Sequence, residues 1–226
     1  MELFRQCLVL VIMSSCFAHG GLVTEKPEDM LGHKEGVFHM KHIENRTIDT
    51  PFDRTYWVVA GQLLAGCYPG DRHAQTANQK LSCLIDAGIR HVINLMEPDE
   101  LHHRSFRFEP YEDRMGDLAQ QRKISITLDQ VSVKDLSVPT ERYMIRILNQ
   151  IDLCIRYDKP VYLHCWRGRG RTGTVVGCYL ARHGLALGKE AIVKIADLRE
   201  HTADSDRPSP ETENQVRMVV DWAEGK

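Results

Sequence analysis

Val161 to His183 reads VYLHCWRGRGRTGTVVGCYLARH and limits the fold more than any other stretch of the chain. A short apolar run, Val161-Tyr162-Leu163, leads into His164-Cys165, and a loop with two glycines follows. Arg171-Thr172-Gly173 then opens a segment with helical apolar spacing (Val175, Val176, Tyr179, Leu180) that stops at Gly184. A strand, a glycine-bearing turn and a helix N-terminus make an anion site. The first helical N–H groups lack intrahelical partners, and the macrodipole adds partial positive charge there. Gly168 and Gly170 let the loop curl so that successive amides form a nest.

Cys165 stands at the first position of that nest, where the field that holds an anion also favours a thiolate. Arg171, six residues later, offers a planar fork to two oxygens of an oxyanion. The hydroxyl of Thr172 can donate to the sulfur and make it a better leaving group. Cys-x5-Arg alone is a weak signal, whereas His-Cys-x2-Gly-x-Gly-Arg-Thr-Gly between a strand and a helix is strong. The stretch resembles the signature loop of the cysteine-dependent protein tyrosine phosphatases, in their compact, dual-specificity-like branch. That resemblance runs from about Tyr56 to Trp222. It implies an α/β fold: a single domain with a central, mostly parallel twisted sheet flanked by helices.

A second motif belongs with the first. A thiolate that attacks phosphorus has to expel an alkoxide or phenolate, and a carboxylic acid held over it supplies the proton. Asp135 lies thirty residues before Cys165 in Lys134-Asp135-Leu136-Ser137-Val138-Pro139-Thr140, an Asp-x3-Pro loop that opens a helix at Pro139. It resembles the general-acid loop of the compact phosphatases. Asp129, at the end of the preceding strand, is the competing acid. The resemblance therefore implies Cys165 as nucleophile, Arg171 as phosphate clamp and Asp135 as acid and base. The loop Trp166, Arg167, Gly168, Arg169, Gly170 and Arg171 would hold phosphate oxygens, with His164 and Thr172 supporting. Glu211-Thr212-x2-Gln215 partly resembles the Gln-Thr-x2-Gln element that positions hydrolytic water in the larger tyrosine phosphatases. Only Gln215 is retained as a candidate, because Glu211 stands where those enzymes have their first Gln. No cofactor and no metal is expected, since amides and guanidinium replace a cation.

Two arginines inside the loop, Arg167 and Arg169, leave the substrate open. The family majority implies phosphotyrosine, with phosphoserine and phosphothreonine beside it. Arginines facing the pocket would instead suit a phosphoinositide or inositol phosphate. A non-catalytic phosphate-binding module remains a third reading, although the Cys, the Arg and the acid are all present. A rhodanese-like sulfurtransferase fits poorly with Gly-Arg-Thr-Gly and the upstream Asp-x3-Pro. The expected partner is a phosphorylated protein or a small phosphorylated substrate.

The 226 residues, 42% hydrophobic and 27% charged, suit one globular domain and a tail. A net charge of -2 gives no global case for nucleic acid or an anionic membrane. Seven cysteines without pairing rhythm or Cys-x2-Cys spacing argue against a disulfide framework and a zinc site, and favour a reducing compartment. Residues 1–18 complicate this, because Arg5, the apolar run Cys7–Met13 and Ala18 resemble a secretory signal too short to span a bilayer. The alternative is an over-extended start, with the working chain beginning near Met30 or Met40. The chain is expected in the cytoplasm, or secreted if residues 1–18 are cleaved. Residues 19–52 read as a flexible lead-in and residues 53–226 as the phosphatase-like domain.

Periodicity predicts strands at Trp57–Ala60, Gln62–Ala65, Ile89–Met96 and Ile124–Leu128, and helices over Ala74–Ala87, Thr140–Arg156 and Leu187–Arg199. Glu97–Arg122 reads as a charged loop with room for a short helix, and Ser209-Pro210 as the cap and first residue of a last helix.

Overall fold

The structure, a computed structural model, describes residues 49–102 and 106–226. The possible signal at 1–18 and most of the lead-in therefore lie outside the described residues. The described residues belong to one compact unit, Ile43–Lys226.

A five-stranded sheet organises that unit. Its strands are β1 (Thr55–Val59), β2 (Leu63–Gly66), β3 (His91–Asn94), β6 (Thr127–Gln130) and β7 (Val161–His164). Their order across the sheet is β1-β2-β7-β3-β6, with β1 antiparallel to β2 and every other pair parallel. A separate two-stranded hairpin pairs β4 (Leu101–His102) with β5 (Phe106–Arg107). The strand that feeds the signature loop is thus central, and all four of its residues are buried.

Alternation along the strands divides the core into two layers. Leu64, Val92 and Tyr162 point to the face covered by α1 (Ala74–Asp86) and α2 (Glu112–Gln121), where Leu81, Leu84, Tyr111 and Met115 meet them. Leu63, Ile93 and Leu163 point the other way. They pack against α3 (Glu141–Arg156), α4 (Gly170–Arg182), α5 (Lys189–Leu198) and α6 (Glu213–Val220). This is the expected α/β architecture, with a mostly parallel sheet between two helical layers.

Four local expectations change. Glu97–Arg122 is not a plain loop: it contains the β4–β5 hairpin and the ten-residue helix α2. Only Met115 and Ala119 of α2 are buried, so its apolar stripe was too thin to read. The fourth strand of the parallel set starts at Thr127, because Thr127 pairs with His91 at the sheet edge while Ile124 and Ile126 pack below it. Helix α3 begins after Thr140, whose side chain accepts from the Tyr143 N–H, so Pro139 precedes the cap. Helix α6 begins after Thr212, not at Pro210. Thr212 and Gln215 make a reciprocal capping box there.

Candidate active site

The signature loop coils where β7 ends and α4 begins. Gly168 sits at φ +75°, and a Cβ built there would lie 2.5 Å from the Gly66 carbonyl carbon. Glycine is needed for both the turn and the close approach. The Tyr68 N–H donates to the Trp166 carbonyl at 2.9 Å, tying the loop to the chain after β2. Among the described residues no backbone carbonyl accepts from the N–H groups of Arg167 to Arg171. Those amides remain available to an anion, as a nest requires.

Cys165, 3% exposed, lines a cavity of about 200 Å³ together with Asp135, Leu136, Trp166, Arg167, Arg171 and Glu211. Arg171 is the hub of its charges. Its guanidinium donates to both Glu100 carboxylate oxygens, at 2.5 and 2.8 Å, and to the Val133 carbonyl at 3.1 Å. A fourth contact reaches Asp135 Oδ1 at 3.0 Å. Burial opposes the Arg171 charge, but the Glu100 hydrogen bonds, the Cys165 sulfur and the two carboxylates outweigh it. Its pKa is therefore raised. Arg171 Nε, buried, has no hydrogen-bond partner.

His164 is fully buried beneath the loop. Its Nε2 lies 2.7 Å from the Tyr111 hydroxyl and its Nδ1 3.2 Å from the Cys165 carbonyl. The consistent assignment has Tyr111 donating to Nε2 and the Nδ1–H donating to the carbonyl. Burial lowers the His164 pKa to about 3, so the ring is neutral and serves as a fixed strut. Thr172 is buried too, but its hydroxyl makes no hydrogen bond, so the expected donation to the sulfur is not formed.

The acid loop is held from two sides. Arg171 grips Val133 and Asp135 from below, while Gln215 Nε2 donates to the Ser137 carbonyl at 3.1 Å. Leu136, at φ +56° and 58% exposed, forms the bend beside Asp135. Asp129 points elsewhere, to Gln150 and His91, and does not line the cavity.

The side chains of two sequence candidates do not reach the cavity. The Arg169 side chain does not face the cavity; it pairs with Glu211 at 2.8 Å and approaches Asp204 at 3.5 Å. Gln215 is also spent. Its carbonyl oxygen accepts from the N–H groups of Glu211 and Thr212, its amide is on Ser137, and the cavity lining does not include it. Sequence reading missed Glu100 and Tyr111, both in the stretch taken for a loop. A Glu on a charged loop and a Tyr at a helix start gave no periodic signal.

A family model described as "Polymorphic toxin system, DSP-PTPase phosphatase" matches residues 68–185, just over half of the chain. The chain belongs to the cysteine-dependent protein tyrosine phosphatase family, in its dual-specificity-like part. The match contains Asp135, Cys165 and Arg171 and ends before Glu211 and Gln215. Mouse dual specificity protein phosphatase CDC14B is 26% identical over 136 residues, 60% of this chain and 26% of that protein. Human CDC14C is 36% identical over 58 residues, 26% of this chain and 12% of that protein. The chain thus spans about a quarter or less of the length of these curated relatives. Among solved structures, kinase associated phosphatase has a TM-score of 0.55 at 19% identity, covering 76% of this chain and 94% of its own. PTPMT1 in complex with PI(5)P has 0.54 at 19%, covering 75% and 94%. Both likenesses are of fold.

Proposed function

We propose that this phosphatase-family chain hydrolyses phosphate monoesters, phosphotyrosine foremost and phosphoserine or phosphothreonine beside it, through a cysteinyl-phosphate. The observation that supports this is one cavity shared by Cys165, Asp135 and Arg171. The Cys165 thiolate attacks phosphorus in line, forming the S–P bond as the ester P–O bond breaks. Asp135 gives its proton to the leaving oxygen. Water then attacks phosphorus, Asp135 takes its proton, the S–P bond breaks, and inorganic phosphate leaves the regenerated thiolate. Arg171 and the loop amides hold the equatorial oxygens throughout, an electrostatic role.

Arg171 has five N–H donors, and two of them face Glu100, one Val133 and one Asp135. A bound phosphate would take Nε and displace Asp135 from Nη2. The same exchange frees Asp135 to turn toward the leaving oxygen. Phosphate binding and acid positioning are thereby coupled through one guanidinium.

A reducing compartment, the cytoplasm, fits the five free cysteines of the described residues. Among those residues no helix is long and apolar enough to cross a membrane. Phosphorylated protein is the expected partner, and the net charge of -2 favours no nucleic acid. The test is phosphate release from p-nitrophenyl phosphate and a phosphotyrosine peptide by the full chain. Turnover that vanadate blocks, that Cys165→Ser abolishes, and that yields a phosphocysteine trapped by rapid denaturation and read by mass spectrometry supports the reading. No release from either compound overturns it.

A further inference from the structure

Asp135 and Leu136 are the central residues of a four-residue turn that the Ser137 N–H closes on the Lys134 carbonyl at 3.1 Å. Leu136 takes the third position at φ +56°, a place that favours glycine or asparagine. Among the described residues four non-glycine residues have positive φ, and Leu136 alone of them is apolar. It is also 58% exposed and packs into neither layer of the core. Neither burial nor turn preference therefore holds the chain in this shape. Without another restraint such a turn relaxes, and Asp135, its other central residue, moves with it.

The restraint comes from the α6 cap. Thr212 and Gln215 carry both acceptors and donors, and the two kinds go to different partners. Their acceptors serve the helix. The Thr212 hydroxyl accepts from the Gln215 N–H at 3.3 Å, and Gln215 Oε1 accepts from the N–H groups of Glu211 and Thr212, each at 3.1 Å. Their donors serve the acid loop. Gln215 Nε2 donates to the Ser137 carbonyl at 3.1 Å, and the Thr212 hydroxyl to the Leu136 carbonyl at 3.5 Å. Capping a helix needs only the first set. The second set reaches 76 and 78 residues back along the chain and grips the two carbonyls that follow Asp135.

The cap is itself fixed to the signature helix. Val219 of α6 is buried so close to Gly177 of α4 that a Cβ added there would lie 2.5 Å from it. Helix α4 carries Arg171 in its first turn. One packed pair of helices thus presents the phosphate clamp and holds the acid loop.

We propose that Gln215, aided by Thr212, is a positioning residue for the general acid: the α6 cap latches the strained Leu136 turn and keeps Asp135 at the mouth of the cavity. The inference rests on the phosphatase reading above. When phosphate takes the place of Asp135 on Arg171, the latch still holds the turn, so only the carboxyl has to rotate.

The test uses Gln215→Glu and Thr212→Asp at pH 8. Each keeps an oxygen for the cap N–H groups and removes a donor to the acid loop. Both are compared with wild type on p-nitrophenyl phosphate and on phenyl phosphate, whose leaving oxygen needs the proton more. Gln215→Glu is expected to lose about tenfold more in kcat/KM on phenyl phosphate than on p-nitrophenyl phosphate, a part of the ~10²–10⁴ that a positioned acid contributes. Thr212→Asp, at the longer contact, should shift the ratio less and in the same direction. A purely structural lesion lowers both esters alike, so equal losses, or none, overturn the latch. Should Gln215→Glu not fold, the same ratio in Thr212→Asp decides. If wild type hydrolyses neither ester, the phosphatase reading fails while the latch is still judged by hydrogen exchange of the Ser137 N–H, which closes the turn. Exchange about tenfold faster in Gln215→Glu than in wild type supports the latch, and unchanged exchange overturns it.

Discussion

Glu100 grips Arg171 with both carboxylate oxygens, at 2.5 and 2.8 Å, from 71 residues away in the chain. This pair, with side-chain exposures of 9% and 2%, sets the plane of the guanidinium that faces Cys165. Bidentate geometry fixes orientation as well as charge, so Glu100 acts on the reaction through Arg171.

Glu100→Gln is expected to lower kcat/KM on p-nitrophenyl phosphate by about a hundredfold, the scale of a misplaced binding group. The loss should appear in phosphate inhibition as well, because the fork itself is misaligned. Steady-state kinetics with inorganic phosphate as inhibitor check this. Unchanged phosphate affinity would remove Glu100 from any positioning role.

Asp135→Asn should reduce kcat on an alkyl phosphate by roughly 10²–10⁴, and less on an aryl phosphate whose leaving group needs little protonation. Asp129→Asn should change either rate by no more than a few fold, since Asp129 faces Gln150 and His91. Comparing the two variants on both esters separates an acid from a structural carboxylate.

The His164 pKa is depressed from 6.5 to about 3, chiefly by burial. Its unfolded form binds a proton that its folded form refuses. The stability it contributes is complete above pH 6.5 and is lost as pH falls toward 3. The slope approaches about 1.4 kcal/mol per pH unit. Burial also lowers the His91 pKa, which adds to the same trend. Urea unfolding between pH 7.5 and 5 should show this decline, and His164→Asn should flatten it.

Gly168→Ala would place a side chain at φ +75° and within 2.5 Å of the Gly66 backbone. Strain of about 1–3 kcal/mol, and a fall in Tm of several degrees, are the expected outcomes. Activity should fall further than stability, because the loop amides would uncurl. Calorimetry beside kinetics reads both.

The signature loop was legible because its signals are local. Strand, glycines and helix start lie within one short run, and Cys165 and Arg171 face one hollow whenever that run coils. Asp135 was legible by its Asp-x3-Pro context, but its rival Asp129 was equally acidic and equally near a strand end. In the structure Asp135 lines the cavity and contacts Arg171, while Asp129 packs against Gln150 and His91. The side chains of Arg169 and Gln215 show what sequence context leaves open. Their sequence contexts pointed to phosphate and water, while Glu211, Asp204 and the α6 cap claimed their polar atoms.

Residue order alone therefore determined the strand–loop–helix unit, the amphipathic helices and the chemistry of the thiol and guanidinium, since each depends on neighbours a few positions apart. Tertiary structure decided which acid reaches the cavity, that Glu100 and Tyr111 support it, and which arginines stay unpaired. Those outcomes depend on placing β7 between β2 and β3 and folding α6 onto the acid loop. Contacts closed over tens of residues leave no periodic trace in the chain that makes them.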